Sequence, residues 1–327
     1  MSYHKLTEIE VGSVEELFNI FDPAKPELKD YIFRGQSDSR YKLTPSLWRD
    51  NFTYDFENFK KQVDLNEIHK KTENIFNIKQ KEISEEHINN IVNWNIFIKF
   101  EHYILFKFYN IANKIGLKIA DPVLNYLKTH NENYWKNSEL YTFAERTIDF
   151  YLNIQELQQV RELNQCLFPS ELPQHHGAPT RLLDWTNNPR IAIFFAAYNN
   201  MISKDRYKDN MISIYSLSEN KNDKNNPIEI STLYNNYENN FLHKQNGLFS
   251  RIHGDFYYFK YGKWPSIEDL IEIDGERFFN LKKYNINSNK IQQILNTLEN
   301  CDITIASMMP SYNHVAEQTN FEIKQNR

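Results

Sequence analysis

The sequence predicts an α+β fold with a mixed or antiparallel sheet and a large helical insertion. Stretches with helical spacing of apolar residues and stretches typical of strands both occur, but they do not alternate as the βαβ units of a doubly wound sheet. Neither a GxGxxG motif nor a P-loop is present, so the common nucleotide-binding folds have no support. The 327 residues suffice for one large domain with a full core.

The first segments of the chain predict a helix, a strand and an extended stretch. Ser13–Glu16 has the pattern of a capping box, so a helix is expected to begin there. Asp30–Arg34 is typical of a strand that ends at Gly35. Tyr41–Trp48 contains a proline and is expected to be extended or a short edge segment.

Residues 55–165 are predicted to be mostly helical, because charged and apolar residues recur there at helical spacing. We interpret this block as a helical insertion within a single domain over residues 1–327, with residues 166–327 forming the second part of the core. The helical spacing is clearest in Phe56–Ile78, Glu85–Ile115 and Ser138–Glu162.

A polar loop over Pro169–Asn188 follows, and it leads into a strongly apolar helix. Asn188 as N-cap and Pro189 at the first helical position predict that this helix begins there and runs through Tyr198. Further along, the sequence predicts a strand at Met211–Leu217, a polar surface loop at Ser218–Pro227, a strand-like piece at Gly254–Tyr261, a capping box at Ser266–Asp269, a helix near Ser288–Asn300 and a strand at Asp302–Ser307.

The composition narrows the classes of protein. A net charge of −5 and a pI of about 6.1 exclude a global basic field for nucleic acid or membranes, which leaves only a local basic groove. Cys166 and Cys301 lie beside apolar residues, and they are interpreted as buried free thiols, with a disulfide as the alternative. The chain shows no secretory signal pattern and no spanning apolar run, so a cytoplasmic protein without membrane contact is expected.

The tetrapeptide Phe33–Gln36 has the chemistry of an anion site. Arg34 offers a rigid fork of donors at the end of a strand, and Gly35 would let a ligand approach the backbone. The alternative is a structural arginine in a salt bridge at a turn.

The loop Gln174–Thr180 carries two adjacent histidines, His175 and His176. An imidazole can act as acid or base or hydrogen-bond a substrate, whereas neighbours at i and i+1 rarely share one metal, so no metal is predicted. Either one histidine is functional and the other structural, or both are satisfied loop residues.

The segment Thr180–Thr186 leads to the N-terminus of the apolar helix, where unsatisfied N–H groups favour phosphate. The carboxylate of Asp184 is more compatible with a bond to Arg34 or Arg181 than with phosphate. Gln245, beside a glycine turn, is suited to bind a ribose, with an ordinary turn as the alternative. His314 near the end of the chain is interpreted as either a site residue or a surface turn histidine.

Several of these segments resemble the FRG domain family, named for its Phe-Arg-Gly triplet. The resemblance lies in YIFRGQ and YKLTPSLWR, in FEHYILFKFYNIA at Phe100–Ala112, in LPQHHGAPTRLLDWTNNPRIAIFFAAY at Leu172–Tyr198, and more loosely in Gln245–Phe249 and Leu281–His314. It implies a prokaryotic domain that is often associated with defence or toxins.

The order of the motifs also resembles the three-part layout of ADP-ribosyltransferases, which bind NAD in a split mixed sheet. The resemblance places Arg34 on the NAD phosphates and Thr180 or Thr186 near the second motif. Gln245 stands where the catalytic Glu is expected, and it departs from the pattern because an amide is not a carboxylate.

The leading hypothesis is therefore an ADP-ribosyltransferase-like enzyme that cleaves NAD and modifies a protein or nucleic-acid acceptor, as a toxin or anti-phage effector with an antitoxin or regulatory protein as partner. The alternative is a non-catalytic nucleotide- or nucleic-acid-sensing module. Trp185 or a tyrosine of Tyr257–Tyr261 would stack on a ring, and Glu317 or Glu322 would replace the missing carboxylate. Arg34, His176 and Gln245 are assigned to catalysis, and Arg34, Gly35, Gln36, His175, Thr180, Arg181, Asp184, Trp185 and Thr186 to NAD binding.

Overall fold

A seven-stranded sheet with helices on both faces organises the protein. The computed structural model describes residues 6–63, 69–70, 73–74, 84–129, 169–203, 210–219, 226–232, 244–274 and 279–325. Within these residues the sheet is mixed and is accompanied by eleven α-helices, so the predicted α+β class is confirmed. The strands are β1 (Thr7–Val11), β2 (Tyr31–Gln36), β3 (Leu182–Thr186), β4 (Met211–Glu219), β5 (Ile228–Thr232), β6 (Gly247–Ile252) and β7 (Phe279–Asn287).

The strands are arranged in the order β1-β7-β4-β2-β3-β6-β5. Only β1 and β7 pair in parallel, and every other neighbouring pair in the described sheet is antiparallel. The sheet is weakest in its middle, because β2 and β3 are paired only at Phe33 and Thr186. Each of these two strands is fully paired on its other side, β2 with β4 and β3 with β6.

The helices form a layer on each face of the sheet. They are α1 (Val14–Ile20), α2 (Asp50–Lys60), α3 (Glu85–Lys114), α4 (Asp121–Thr129), α5 (Glu171–His175), α6 (Pro189–Ile202), α7 (Asp255–Tyr261), α8 (Ile267–Asp274), α9 (Ile291–Glu299), α10 (Ile305–Met308) and α11 (Tyr312–Gln325). One apolar cluster joins the sheet to α1, α6 and α9, and a second joins it to α2, α3, α7 and α8. Successive β2 residues take part in both, with Phe33 in the first cluster and Ile32 in the second.

Three of the predicted helix starts are confirmed by their capping bonds. The hydroxyl of Ser13 accepts from the backbone N–H of Glu16, while the Glu16 carboxylate accepts from the N–H of Gly12. The Asn188 side chain accepts from the backbone N–H of Arg190, the second residue of α6, which has proline at its first position. Ser266 and Asp269 cap each other reciprocally ahead of α8.

Two predicted strands are wrong, and local backbone signals explain both. Gly254–Tyr261 forms α7 rather than a strand, and Gly262 ends that helix in the left-handed conformation with φ of 62°. Within Asp302–Ser307, Asp302 has φ of 59°, and Thr304 and Ser307 form a capping box that begins α10. Tyr41–Trp48 joins no strand of the described sheet and ends in a 3-10 turn at Ser46–Trp48.

The predicted polar loop Pro169–Asn188 contains α5 and β3, and β3 is the strand that borders the gap in the sheet. The predictions for Ser138–Glu162 and Cys166, most of Ser218–Pro227 and much of Phe56–Ile78 fall outside the described residues. Cys301 is a half-buried free thiol. None of the helices described combines the length and apolar character that a membrane crossing requires.

Gly35 sets the distance between β2 and α6. A Cβ atom at this position would lie 2.0 Å from the Ala192 carbonyl oxygen and 2.7 Å from the Ala196 nitrogen. Neither backbone atom can move without displacing the helix. Gly35 is therefore required for the close packing of the helix on the strand, whereas the sequence suggested that it opens the backbone to a ligand.

Gly35→Ala is expected to lower the free energy of unfolding by about 3 kcal/mol, because the added methyl group overpacks a backbone contact. Chemical denaturation checks this value. Gly12→Ala is the matched control, since its Cβ would meet only the Glu16 carboxylate at 3.5 Å. Equal stability of the two variants would contradict the packing role of Gly35.

Candidate functional site

A cleft of about 510 Å³ lies where β2 and β3 separate. Its walls come from distant parts of the chain: β2, α5, β3, α6, the residues before β6, and the start of α11. This volume is within the range of small-molecule and cofactor sites. The polar residues that line it are Arg34, Gln36, Ser37, Gln174, His175, His176, Asp184, Thr186, Asn199, Gln245 and His314.

Arg34 lies at the gap between the two strands. Its Nη1 donates to the backbone oxygen of Asp184 at 2.6 Å and lies 3.5 Å from the carboxylate oxygen Oδ2 of the same residue. In a continuous sheet the Asp184 carbonyl would accept a hydrogen bond from the neighbouring strand. Here the Arg34 guanidinium donates that bond instead. Its Nε is buried and has no hydrogen-bond partner among the described residues. A buried donor in this state favours an acceptor from a ligand.

Asp184 contributes the only carboxylate among the described residues that line the cleft. Its side chain is 55% exposed, compared with 14% for Arg34. Gln174 Nε2 donates to Asp184 Oδ2 at 3.2 Å, and Thr180 Oγ1 donates to Gln174 Oε1 at 2.5 Å. The carboxylate is therefore held from one side by an amide and attracted from the other by a guanidinium.

The two histidines lie at the end of α5 and both line the cleft. Their rings meet edge to face with centroids 5.4 Å apart. Burial lowers the pKa of His175, and the neighbouring His176 lowers it further, against the opposite effect of Asp184. The neutral imidazole of His175 is favoured as a result, which suits a hydrogen bond with a sugar hydroxyl.

Gln245 and Thr186 join the ends of two strands at the cleft. Thr186 Oγ1 donates to the backbone oxygen of Gln245 at 2.7 Å and accepts from the N–H of Asn188 at 3.1 Å. The Gln245 side chain donates through Nε2 to the carbonyl of Met308 at 3.0 Å. The amide of Gln245 is thus anchored at the edge of the cleft by the segment that precedes α11.

Part of this site matches a known family. The FRG domain model matches residues 122–205, a stretch that includes α4, α5, β3 and α6. The chain contains an FRG domain. The predicted family resemblance is confirmed over these residues, while Arg34, Gln245 and His314 lie outside the match. No curated protein and no solved structure matches the chain.

The sequence left His314 as either a site residue or a surface turn histidine. In the structure it lines the cleft. It lies in the first turn of α11, where its Nδ1 is 2.8 Å from the hydroxyl of Ser311. The helix is fastened to α6 by Tyr198, whose hydroxyl donates to both carboxylate oxygens of Glu317 at 3.0 Å. Burial and this carboxylate raise the pKa of Tyr198, which keeps the hydroxyl protonated as a donor.

Several residues assigned to the site from the sequence lie outside the cleft. Thr180 and Arg181 are fully buried and are not part of the cleft lining. Glu317 and Glu322 bond to neighbouring side chains on α6 and α11, and neither lines the cleft. Tyr257–Tyr261 belongs to α7 and is not in the lining either.

Trp185 borders the cleft, but its indole is buried. The residue is 3% exposed, belongs to the apolar cluster around α3, and donates through Nε1 to the hydroxyl of Ser250 at 2.8 Å. The ring stacking suggested from the sequence is therefore not available to it. Gln174, Asn199 and Met309 line the cleft without having been assigned, and the QHHG segment was the only signal for Gln174.

The guanidinium of Arg181 forms a buried ion pair with Glu101. Its Nε lies 2.7 Å from Glu101 Oε2, and the two side chains are 0% and 3% exposed. Glu101 lies in the middle of α3, so the pair fastens this helix to the residue just before β3. The sequence could not tell Arg181 from Arg34, because burial rather than residue type separates their roles.

Arg181→Met is expected to lower the free energy of unfolding by about 3–5 kcal/mol, because the buried Glu101 carboxylate loses its partner. Combining it with Glu101→Leu should restore most of the stability, since no charge then stays buried alone. Denaturant unfolding of the single and double variants measures both effects. A single variant as stable as the wild type would show that the pair does not hold α3 in place.

His102, next to Glu101, gives stability a pH dependence. Burial lowers its pKa from 6.5 to about 4. Between these values the unfolded chain binds a proton that the folded chain does not, so stability falls as the pH drops through this window. The expected contribution is about 3 kcal/mol.

Urea unfolding at pH 7 and pH 4.5 measures this dependence. His102→Gln should flatten it, whereas His87→Gln, on the same helix at a partly exposed position, should leave it unchanged. An unchanged slope in His102→Gln would show that other groups cause the acid sensitivity.

Proposed function

We propose that the cleft binds NAD and that the protein cleaves its nicotinamide–ribose bond and transfers ADP-ribose to a protein or nucleic-acid acceptor. The observation that carries this proposal is the split between β2 and β3. It brings an arginine with a buried unpartnered donor next to the only carboxylate of the described cleft lining. The order of the motifs, which resembles that of ADP-ribosyltransferases, also supports the proposal that the protein cleaves NAD.

Arg34 is suited to hold the diphosphate of NAD. Its Nη1 is committed to the Asp184 backbone, which fixes the plane of the guanidinium before a ligand arrives. Its Nε is left to bond a phosphate oxygen, and the positive charge adds to that bond. A preoriented donor loses little freedom on binding.

Asp184 is suited to the charge that develops in the reaction. When the bond from ribose C1′ to the nicotinamide nitrogen breaks, its electron pair leaves with neutral nicotinamide and the ribose becomes a cation. A carboxylate beside this cation stabilises it. The acceptor then attacks C1′ and loses a proton. His175, favoured as a neutral imidazole, accepts a hydrogen bond from a ribose hydroxyl in this arrangement.

Gln245 has a supporting role in this proposal. Its amide cannot carry the negative charge expected at that position of the resemblance, and its Nε2 is already bonded to Met308. Asp184 supplies the negative charge instead, from β3 rather than from the start of β6. Gln245 is left to bond a ribose hydroxyl through its carbonyl oxygen.

Incubation with labelled NAD and cell extract tests the proposal. The wild type should release nicotinamide and label an acceptor. Arg34→Lys should weaken NAD binding about 10- to 100-fold, because the ammonium keeps the charge and loses the fork. Asp184→Asn should lower kcat more than it changes the KM for NAD. Arg40→Ala is the matched control, because Arg40 is exposed, pairs with Asp38 and does not line the cleft.

Absence of nicotinamide release and of label transfer, with the wild type matching Arg34→Lys, would overturn the enzymatic proposal. Binding of NAD or of a nucleic acid without product would favour the second candidate, a sensing module. The anchored amide of Gln245 in place of a carboxylate is the observation that favours that candidate. A role as toxin or anti-phage effector, with an antitoxin or regulatory partner, stays a prediction from the resemblance.

A further inference from the structure

Three hydrogen-bonded side chains lead from the buried core to the carboxylate in the cleft. Thr180, which is fully buried, donates its hydroxyl to the Gln174 carbonyl oxygen at 2.5 Å. Gln174, which is half-buried, donates its amide nitrogen to Asp184 Oδ2 at 3.2 Å. We call this chain of side chains the relay. Only its last member, Asp184, is exposed, and the relay connects it to the buried Thr180.

The direction of the relay is fixed at its buried end. The Thr180 hydroxyl oxygen accepts from the backbone N–H of Leu182 at 3.1 Å, which turns the hydroxyl proton toward Gln174. The Thr180 backbone is itself held by Ser46 and Leu47, because its N–H donates to the Ser46 hydroxyl and its carbonyl accepts from the Leu47 N–H. The Gln174 carbonyl oxygen must face Thr180, and its NH₂ group therefore faces Asp184.

This orientation controls how Asp184 meets Arg34. Both Gln174 Nε2 and Arg34 Nη1 approach the same oxygen, Oδ2, and Arg34 stays at 3.5 Å rather than forming a two-pronged ion pair. The other oxygen, Oδ1, makes no hydrogen bond within the described residues. Without the amide, the carboxylate loses its only hydrogen bond to a side-chain amide among the described residues, and Arg34 attracts it more directly.

We propose that Gln174 is a positioning residue that limits the Asp184 carboxylate to a single contact with the Arg34 guanidinium and prevents a two-pronged ion pair. Arg34 is thereby left for the diphosphate and Asp184 Oδ1 for the ribose. This inference rests on the proposed NAD cleavage for its consequence in catalysis. The hydrogen-bond relay itself is a property of the protein and is measurable without turnover.

Thr180 gives the sharpest kinetic test, because it is fully buried and cannot touch the substrate. Thr180→Val keeps the shape and removes the hydroxyl, so kcat/KM for NAD is expected to fall about 10- to 100-fold through misplacement of Asp184. Thr180→Ser keeps the hydroxyl and should stay within about twofold of the wild type. Thermal unfolding of both variants confirms that they fold.

A double-mutant cycle with Asp184→Asn separates positioning from a general structural effect. If Thr180 acts through Asp184, Thr180→Val causes little further loss in the Asp184→Asn background. Gln174→Met should behave in the same way. Additive losses would overturn the relay, since they would mean that Thr180 and Asp184 act independently.

A spectroscopic measurement separates failure of the relay from failure of the proposed function. The side-chain amide resonance of Gln174, assigned by its loss in Gln174→Met, should shift in Thr180→Val and stay in place in Thr180→Ser. An unshifted resonance in Thr180→Val would overturn the relay. If the wild type neither binds nor cleaves NAD, the proposed function fails, and this resonance alone then decides whether Thr180 orients Gln174.

Discussion

The bond from the Arg34 guanidinium to the backbone oxygen of Asp184 is the interaction on which the cleft depends. A sheet that opens between two central strands exposes backbone groups that normally pair with each other. A backbone carbonyl at such a gap takes its hydrogen bond from a side chain or from water instead of from the neighbouring strand. Arg34 supplies that donor from β2 itself, and the two halves of the sheet stay joined at Phe33 and Thr186 while the space beyond them stays open.

The same guanidinium has a second consequence for the charge of the cleft. Because Nη1 is used by the backbone and Nε is not, one residue both bridges the gap and keeps a donor without a partner among the described residues. The adjacent carboxylate would normally neutralise such an arginine. Here Asp184 Oδ2 also accepts from Gln174, and it contacts Arg34 through a single nitrogen at 3.5 Å. Opposite charges in one cleft suit the ligand proposed above, NAD, because its diphosphate is anionic and its ribose becomes cationic in the proposed reaction.

Local signals in the sequence predicted the helices that begin with a side-chain cap or have a long run of apolar residues at helical spacing. Side-chain caps predicted the starts of α1, α6 and α8, and the apolar spacing predicted α3 within one residue of its bounds. Strand β7 was missed although Phe279 and Leu281 alternate, because the next inward residue is Lys283. That lysine is buried only through its bond to Glu8 on β1 and its position over the Tyr215 ring, which are contacts between distant segments.

The proximity of the site residues had no local signal. Arg34 and Asp184 are 150 residues apart in the chain, and charge matching left either Arg34 or Arg181 as the partner of Asp184. The sequence analysis assigned both Arg181 and Arg34 to NAD binding, although Arg181 lies in the core and pairs with Glu101. What separates the two arginines is burial, since the Arg34 side chain is 14% exposed at the cleft and that of Arg181 is 0% exposed.

The cleft extends beyond the stretch that matches the FRG domain model. Residues 122–205 supply one wall, with the paired histidines, Asp184 and the apolar helix α6. The facing residues come from β2, from the turn before β6 and from the start of α11, all outside that stretch. Arg34, which bonds across the gap, lies outside the matched stretch, so that stretch alone does not form the cleft. The cleft is therefore formed by the sheet with its gap, to which the matched stretch contributes α5, β3 and α6.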